Sequence, residues 1–192
     1  MKNQDISMNS GRLEVILGPM FAGKSTKLIE IANRYESINK RILTITHEID
    51  NRYGEGVISS HNKIQKKCIT TDKLCKIFES NKEYIDSEII VVEEGQFFSD
   101  LKEFVLISVE RHRKHVIVAG LSGDYKRQPF GQILELIPLA DNVQMISAFC
   151  KLCNDGTEAH FTRRVNQIPL ESTIVVGCDD IYMPVCRKHY LE

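Results

Sequence analysis

The stretch GPMFAGKST has glycines, a lysine and a serine at the spacing of a phosphate-binding loop. Gly18 and Gly23 let the backbone close around an anion, and the N-terminus of a following helix adds partial positive charge. Lys24 offers an ammonium group and Ser25 a hydroxyl for Mg²⁺. The pattern predicts a nucleoside triphosphate site, the alternative being a chance match in a glycine-rich turn. The predicted ATP and Mg²⁺ contacts here are Gly18, Pro19, Met20, Phe21, Ala22, Gly23, Lys24, Ser25 and Thr26.

Two adjacent carboxylates, Glu93 and Glu94, follow the apolar run Ile89–Val92. A buried pair of like charges is costly without positive charge opposite, which Mg²⁺ and Lys24 would supply. A carboxylate at the end of a neighbouring strand orders the metal in phosphate-loop folds, a role that suits Glu93. If the chain turns at Gly95, Glu94 reaches a different volume and can accept a proton from an attacking hydroxyl. The alternative is a solvated acidic turn.

Two short motifs near the C-terminus carry metal-binding residue types. Cys150 and Cys153 form C-x-x-C, Cys186 and His189 form C-x-x-H, and 32 residues separate the pairs. Three thiolates and an imidazole make a closed tetrahedral Zn²⁺ site, which braces a segment too small for its own core. The alternatives are a redox C-x-x-C pair and unrelated buried cysteines.

The elements that position these residues follow from hydrophobic patterning. Four apolar runs have strand length: Leu13–Gly18, Arg41–Thr46, Glu88–Glu93 and His115–Leu121. Two segments show apolar residues at helical spacing: Lys24–Asn39 and Asp100–Lys114. Strands that alternate with helices predict an α/β fold with a mostly parallel sheet flanked by helices. The polar segment from His47 to Lys67 predicts either a long excursion or a projecting β-hairpin.

Composition limits the class of protein. The 192 residues are 42% hydrophobic and 27% charged, which is typical of a globular protein. The net charge of -1 predicts no strong electrostatic attraction of the whole chain to nucleic acid or to an anionic membrane. No run approaches the roughly 20 apolar residues that span a bilayer, and no secretory signal is recognisable. We expect a cytoplasmic, reducing location in which Cys68, Cys75 and Cys178 are packing residues. We expect a disordered tail over 1–11 and domains over 12–148 and 149–192.

Several motifs in one order resemble the zinc-containing, tetrameric thymidine kinases of animal cytosol, bacteria and large DNA viruses. The resemblance runs from Gly11 to Tyr190 through VILGPMFAGKST, DNRY, EEGQFF, KRQPFG, the two metal motifs and CDDIYMPVC. It implies a RecA-like phosphate-loop domain followed by a small zinc-ribbon-like lasso domain. It also implies a homotetramer that uses Mg–ATP to phosphorylate the 5′-hydroxyl of thymidine.

The resemblance implies roles for individual residues. Glu94 matches the general base, and Glu93 stands where the family usually has an aspartate that helps to order Mg²⁺. Lys24, with Arg163 or Arg52, would stabilise charge on the transferred phosphoryl group. Further ATP contacts are Asp50, Asn51, Arg52 and Gln96. The implied thymidine contacts, of which Thr162 lies two residues further from Cys153 than in many members, are Met20, Phe97, Leu121, Tyr125, Thr162, Thr173, Ile174, Val175, Val176, Gly177 and Tyr182.

Three functions are weighed. The first is a thymidine kinase, whose partners would be ATP and thymidine, with neither membrane nor nucleic acid. The second is a kinase for another deoxynucleoside. The third is a nucleotide-gated, zinc-containing module that binds nucleic acid. The near-neutral charge and the lack of interleaved basic and aromatic runs count against the third.

Overall fold

The computed structural model describes residues 10–50, 56–59, 65–165 and 181–192. The strands are β1 (Arg12–Gly18), β2 (Ile42–His47), β3 (Val57–Ser59), β4 (Gln65–Lys67), β5 (Ile69–Thr71), β6 (Ile89–Val92), β7 (His115–Leu121), β8 (Asn142–Met145), β9 (Ala148–Phe149), β10 (Glu158–Ala159), β11 (Phe161–Arg164) and β12 (Tyr182–Val185). The α-helices are α1 (Lys24–Glu36), α2 (Ile77–Ser80), α3 (Lys82–Asp86), α4 (Leu101–Leu106) and α5 (Arg187–Leu191). Two 3₁₀ segments, Gly95–Phe97 and Ile133–Leu139, and one π-helical turn, Ile107–Arg111, complete the described elements.

Six strands form one sheet in the order β5-β2-β6-β7-β1-β8, and every neighbouring pair is parallel. Strand β7 therefore lies between β1, which leads into the phosphate loop, and β6, which leads into Glu93 and Glu94. Two strand spacings separate these chain ends by about 10 Å. The parallel α/β prediction is confirmed, and the topology brings the loop and the glutamates to one edge of the sheet.

Both faces of the sheet are covered, which explains the nearly continuous apolar strands. In β1, Val15 and Leu17 belong to the larger core cluster, which contains Phe104 of α4. Ile16, on the opposite face, packs in a second cluster with Leu28 of α1. The predicted apolar positions of both helices thus pack against the sheet.

The structure differs from the predicted elements at several points. The helix expected over Asp100–Lys114 is α4, which continues as the π-helical turn and ends at Arg111. The polar excursion contains an antiparallel hairpin of β3 and β4, as one of the two expectations stated. The pattern did not predict β5, β8, α2 or α3, because these elements have three to five residues and β8 is exposed throughout. In β8, Val143 and Met145 do alternate with Asn142 and Gln144, but this pattern extends over only four residues.

Beyond the main sheet, β9 pairs with β10 and β11 pairs with β12, both antiparallel. A small cluster of Cys150, Ala159, Val185 and Cys186 lies between these pairs of strands. Among the described helices, none combines the length and the apolar character needed to cross a membrane.

Candidate active site

The loop between β1 and α1 has the backbone of an anion-binding turn. Gly23, directly before α1, has a φ of 83°, and Phe21 has a φ of 65°. Left-handed residues of this kind turn successive N–H groups toward one concavity. In the part of the chain that the structure describes, no side chain caps α1 and no acidic residue lies in its first turn. The helix N-terminus therefore offers N–H groups and partial positive charge to an anion.

Lys24 lies beside this loop with its ammonium group buried. Its Nζ donates to the carbonyl oxygens of Pro19 at 2.8 Å and Gly18 at 3.3 Å, and the residue is 9% exposed. These contacts compensate the cost of removing the charge from water. Ser25 is half-buried in the first turn of α1, and Thr26 is exposed. The predicted loop residues thus form one compact group.

Glu93 is a buried acidic residue. It is 5% exposed, and its backbone N–H donates to the carbonyl of Ile45 at 2.9 Å, just beyond the end of β6. Burial raises the pKa of the Cys68 thiol to about 11, and the nearby charges of Glu93 and Asp50 add to this rise. The charges of two predicted triphosphate and metal contacts, Glu93 and Asp50, therefore both act on the Cys68 thiol.

Glu94 takes a different direction because its backbone is left-handed, with φ of 52° and ψ of 43°. Its Oε2 accepts a hydrogen bond from Gln96 Nε2 at 2.6 Å. The chain turns at Gly95, as predicted, because a 3₁₀ segment begins there, and Glu94 directly before it adopts a positive φ. The left-handed residue breaks the strand alternation that would otherwise set the direction of the Glu94 side chain. The two glutamates therefore have different surroundings.

Gln96 was expected among the ATP and Mg²⁺ contacts. The structure places its side chain, 2% exposed, between the carboxylate of Glu94 and the backbone N–H of Leu121. Leu121 ends β7, the strand between the phosphate loop and the glutamates. The hydrogen bonds described for Gln96 therefore connect Glu94 to the end of β7.

The residues expected around a nucleoside base form three contacts. The backbone N–H of Met20 donates to Thr162 Oγ1 at 3.0 Å, which joins the phosphate loop to β11. The rings of Tyr125 and Tyr182 lie 6.4 Å apart, and Tyr182 is 6% exposed. The ring of Phe97 is exposed in part and packs edge-on against Phe130.

Successive side chains of β11 point to opposite faces of the strand, and the two faces make different contacts. Thr162 and Arg164 lie on the face toward Met20 and Tyr125. Arg163, on the opposite face, donates from its guanidinium to the carbonyl of His189. Since neighbouring residues of a strand point to opposite faces, this contact commits Arg163 to α5 and away from the phosphate loop. The expectation that Arg163 stabilises the transferred phosphoryl group finds no support here.

Some predicted contacts lie outside the described residues. These are Asn51, Arg52, Thr173, Ile174, Val175, Val176 and Gly177, together with the packing residue Cys178. Cys68 and Cys75 are both described, and burial raises their thiol pKa values to about 11 and about 12. Cys68 is buried in a small apolar cluster with Ile29 and Ile58, and Cys75 is partly buried against the larger core cluster, as expected of packing residues.

Two residues near the site were missed. His47 ends β2 with its ring 5.9 Å from that of Phe97, and burial lowers the pKa of the His47 imidazole. Tyr190 donates from its hydroxyl to the carbonyl of Tyr125 at 2.8 Å. Only the position of His47 at a strand end could have indicated its place, whereas no sequence signal links Tyr190 to Tyr125.

The four predicted metal ligands converge. Their candidate ligand atoms, from Cys150, Cys153, Cys186 and His189, all lie within 4.8 Å of one another. His189 Nδ1 is 3.3 to 3.4 Å from the three sulfur atoms, and the Cys153 and Cys186 sulfurs are 3.7 Å apart. Tetrahedral zinc requires about 3.5 Å between nitrogen and sulfur and about 3.8 Å between sulfurs. The cluster therefore has the dimensions of a closed Cys₃His metal site.

The surroundings of Cys150 favour a thiolate ligand. Burial opposes ionisation, but backbone N–H groups of Cys186 and Cys153 and the His189 side chain outweigh it and lower the pKa of Cys150 to about 6. On the other side of the imidazole, His189 Nε2 lies 3.9 Å from a Glu192 carboxylate oxygen. A carboxylate behind a ligating histidine is a common means of orienting the ring.

A phosphate loop on a parallel sheet, with a Cys₃His cluster in the same chain, is typical of a phosphate-loop nucleotide-binding protein with an appended candidate metal site. A family model for thymidine kinase matches residues 11–190. The thymidine kinase of vaccinia virus strain Western Reserve is 40% identical over 186 residues, which cover 96% of this chain and 99% of the viral protein. The monkeypox virus enzyme gives the same values. The rice enzyme is 40% identical over 185 residues, 95% of this chain and 67% of its own length. The chain belongs to the thymidine kinase family.

The cluster geometry predicts about one tightly bound metal ion per chain. We expect Cys186→Ser to lose most of this metal and to lower the melting temperature, because an apolar cluster of this size cannot hold β9 to β12 together alone. Metal content is measured by mass spectrometry on protein purified without chelator. Cys68→Ser is the matched control, since it changes a buried thiol outside the cluster. Full metal content in Cys186→Ser would contradict the assignment.

Proposed function

We propose that this protein transfers the γ-phosphoryl group of Mg–ATP to the 5′-hydroxyl of thymidine, forming thymidine monophosphate and ADP. The observation that carries the proposal is the arrangement of the phosphate loop and Glu94 at one edge of a parallel sheet, in a chain of the thymidine kinase family. The loop supplies a phosphate site, and Glu94 supplies a carboxylate on the neighbouring side.

The triphosphate would lie on the phosphate loop. Backbone N–H groups, the α1 N-terminus and Lys24 oppose its negative charge. A magnesium ion that arrives with ATP prefers oxygen donors, and the Ser25 hydroxyl and the buried Glu93 carboxylate provide them. Asp50, Asn51 and Arg52 complete the proposed triphosphate contacts, with Arg52 and Lys24 stabilising the charge of the transferred group.

The chemical step is an in-line displacement. The 5′-oxygen forms a bond to the γ-phosphorus while the bond from that phosphorus to the β,γ-bridging oxygen breaks, and ADP leaves. Glu94 accepts the proton of the 5′-hydroxyl as this oxygen becomes bonded to phosphorus. Just beyond the end of β6, its left-handed backbone breaks the strand alternation, so its side chain need not follow the direction set by Glu93.

We place the base beside the contacts between Met20 and Thr162, Tyr125 and Tyr182, and along Phe97 and Leu121. Residues 12–148 would bind ATP, and residues 149–192 would close over thymidine through Thr173 to Gly177. Structural zinc in the Cys₃His cluster would brace this second unit. The family resemblance also supports a homotetramer and a cytoplasmic location.

A panel of nucleosides with radiolabelled ATP tests the proposal. We expect thymidine to be phosphorylated with a kcat/KM at least about 100-fold above that of purine deoxynucleosides, because a polar base pocket rejects mismatched edges strongly. Product identity is checked by co-migration with thymidine monophosphate. Faster labelling of another nucleoside would reassign the substrate. Lack of any labelling, with tight binding to single-stranded DNA at ~0.15 M salt, would favour the nucleic-acid-binding module.

Substitution of Glu94 tests the base. We expect Glu94→Gln to lower kcat by about 10²- to 10⁴-fold, because it removes the proton acceptor, with little change in the KM for thymidine. Glu94→Asp retracts the carboxylate by one methylene and lowers kcat more than it changes KM. Glu110→Gln, on the exposed side of the π-helical turn, is the control and leaves both constants unchanged. A near-normal kcat in Glu94→Gln would rule out the base assignment.

Tyr190→Phe tests the support of Tyr125. The substitution keeps the ring, which packs 5.5 Å from Phe161, and removes the hydroxyl that donates to the Tyr125 carbonyl. Loss of one such hydrogen bond costs about 1 kcal/mol, so we expect about a five-fold rise in the KM for thymidine. Steady-state kinetics should show the KM for ATP unchanged. Tyr35→Phe on α1 is the matched control, and an equal rise in both KM values would contradict the role.

A further inference from the structure

Gln96 is a buried amide held between two chemically different partners. Its Oε1 accepts from the backbone N–H of Leu121 at 3.0 Å, and its Nε2 donates to Glu94 Oε2 at 2.6 Å. A backbone N–H can only donate, so the oxygen of the amide must face Leu121. The amide NH₂ is therefore directed at the carboxylate of Glu94.

The space around Gln96 is restricted to this arrangement. A Cβ atom on Gly120 would overlap the Gln96 side-chain oxygen, and one on Gly131 would overlap its backbone carbonyl. Gly131 also has a φ of 60°, a conformation that side-chain-bearing residues rarely adopt. The described chain thus approaches Gln96 closely from two directions, and the side chain is 2% exposed.

Glu94 needs such an anchor. Its backbone is left-handed, and a flexible carboxylate side chain has several rotamers of similar energy at such a position. Proton transfer requires the carboxylate within about 3 Å of the acceptor hydroxyl. A buried amide with fixed orientation removes most of this freedom before substrate arrives, which is how supporting residues preorganise a catalytic group.

We propose that Gln96 is the positioning residue of Glu94: it holds the carboxylate where the acceptor hydroxyl is deprotonated, and it does not bind ATP or its metal. This role rests on the proposed function, since Glu94 must be the group that receives the proton. The second hydrogen bond, from the Leu121 N–H, fixes Gln96 relative to β7, and Gln96 in turn fixes the Glu94 carboxylate. Because β7 adjoins both β1 and β6, one amide sets the carboxylate relative to the phosphate loop.

Gln96→Glu isolates the contact with Glu94. The new side chain has the same shape and keeps an acceptor for the Leu121 N–H, but it turns a second carboxylate oxygen toward Glu94. We expect kcat to fall about 100-fold, because two adjacent carboxylates either share a proton or move apart and Glu94 then no longer serves as a well-placed base, with the KM values for ATP and thymidine within about two-fold of the parent. Gln132→Glu is the matched control, since Gln132 Oε1 also accepts a backbone N–H, that of Lys102.

The double variant Glu94→Gln/Gln96→Glu separates positioning from other roles. The amide and the carboxylate exchange places, so their hydrogen bond is restored in reverse. If Gln96 acts through Glu94, the second substitution costs no more than about three-fold in the Glu94→Gln background. If Gln96 acts independently, its full effect persists there, and the proposal is overturned. A raised KM for ATP with kcat unchanged overturns it equally.

A measurement without turnover covers the case in which Gln96→Glu fails to fold. The side-chain amide signals of Gln96, observed by ¹⁵N-edited NMR, should move in Glu94→Ala and stay in place in Glu110→Gln. Unchanged signals in Glu94→Ala would remove the contact and the proposal with it. The two proposals can be told apart by their failures. A normal kcat in Glu94→Gln would rule out Glu94 as the general base. A normal kcat in Gln96→Glu, together with a strongly reduced kcat in Glu94→Gln, would rule out only the positioning role of Gln96.

Discussion

Like charges must share one edge of the sheet. A triphosphate bound on the loop after β1, as we propose, would face the carboxylates that follow β6, and β7 lies between the two strands. At an effective dielectric of about 20, a pair of unit charges repels by about 4 kcal/mol at 4 Å but by less than 2 kcal/mol at 10 Å. The intervening strand therefore reduces the repulsion by more than half. The remaining repulsion would be opposed by the α1 N-terminus, by Lys24 and by a metal ion that arrives with ATP.

The same need for positive charge at this edge of the sheet explains why a lysine ammonium group, that of Lys24, is buried beside the loop. A buried ammonium group without partners would be costly, and the carbonyls of Gly18 and Pro19 satisfy it. A bound phosphate would exchange these neutral acceptors for charged ones, and charge-assisted hydrogen bonds are roughly twice as strong. The net gain is the difference between two good sets of contacts, so Lys24 contributes more to placing the phosphate than to the total binding energy.

The metal cluster and the base-side contacts are joined through β11. The apolar cluster around the four candidate ligands is too small to stabilise a unit by itself, so a metal bound in the Cys₃His site would be the main stabilising element there. On one face of β11, Thr162 accepts a hydrogen bond from the Met20 N–H, and on the other face Arg163 donates one to the His189 carbonyl. One strand thus connects the phosphate loop to the metal ligands, so the order of the metal site bears on the position of Thr162.

The sequence was sufficient wherever one strong local signal determined the outcome. The phosphate loop, the sheet strands β1, β2, β6 and β7, and the four metal ligands all have fixed spacing or continuous apolar patterning. The exposed strand β8 and the short strand β5 have neither, because an edge strand is defined by its partner rather than by its own composition. The turn at Gly95 was predicted, but the left-handed backbone of Glu94 was not, because a positive φ is uncommon for residues other than glycine.

Gln96 shows why the remaining part of the site was out of reach. Its partners are Glu94, two residues before it, and Leu121, 25 residues after it. The first contact exists only because Glu94 is left-handed, and the second only because β7 lies beside β6. Neither condition can be inferred from the local sequence EEGQ, which is equally compatible with a set of phosphate and metal contacts. A polar residue next to a catalytic group is assigned to the ligand by default. Its burial, and the direction in which its donor faces, decide whether it serves the ligand or the catalytic group instead.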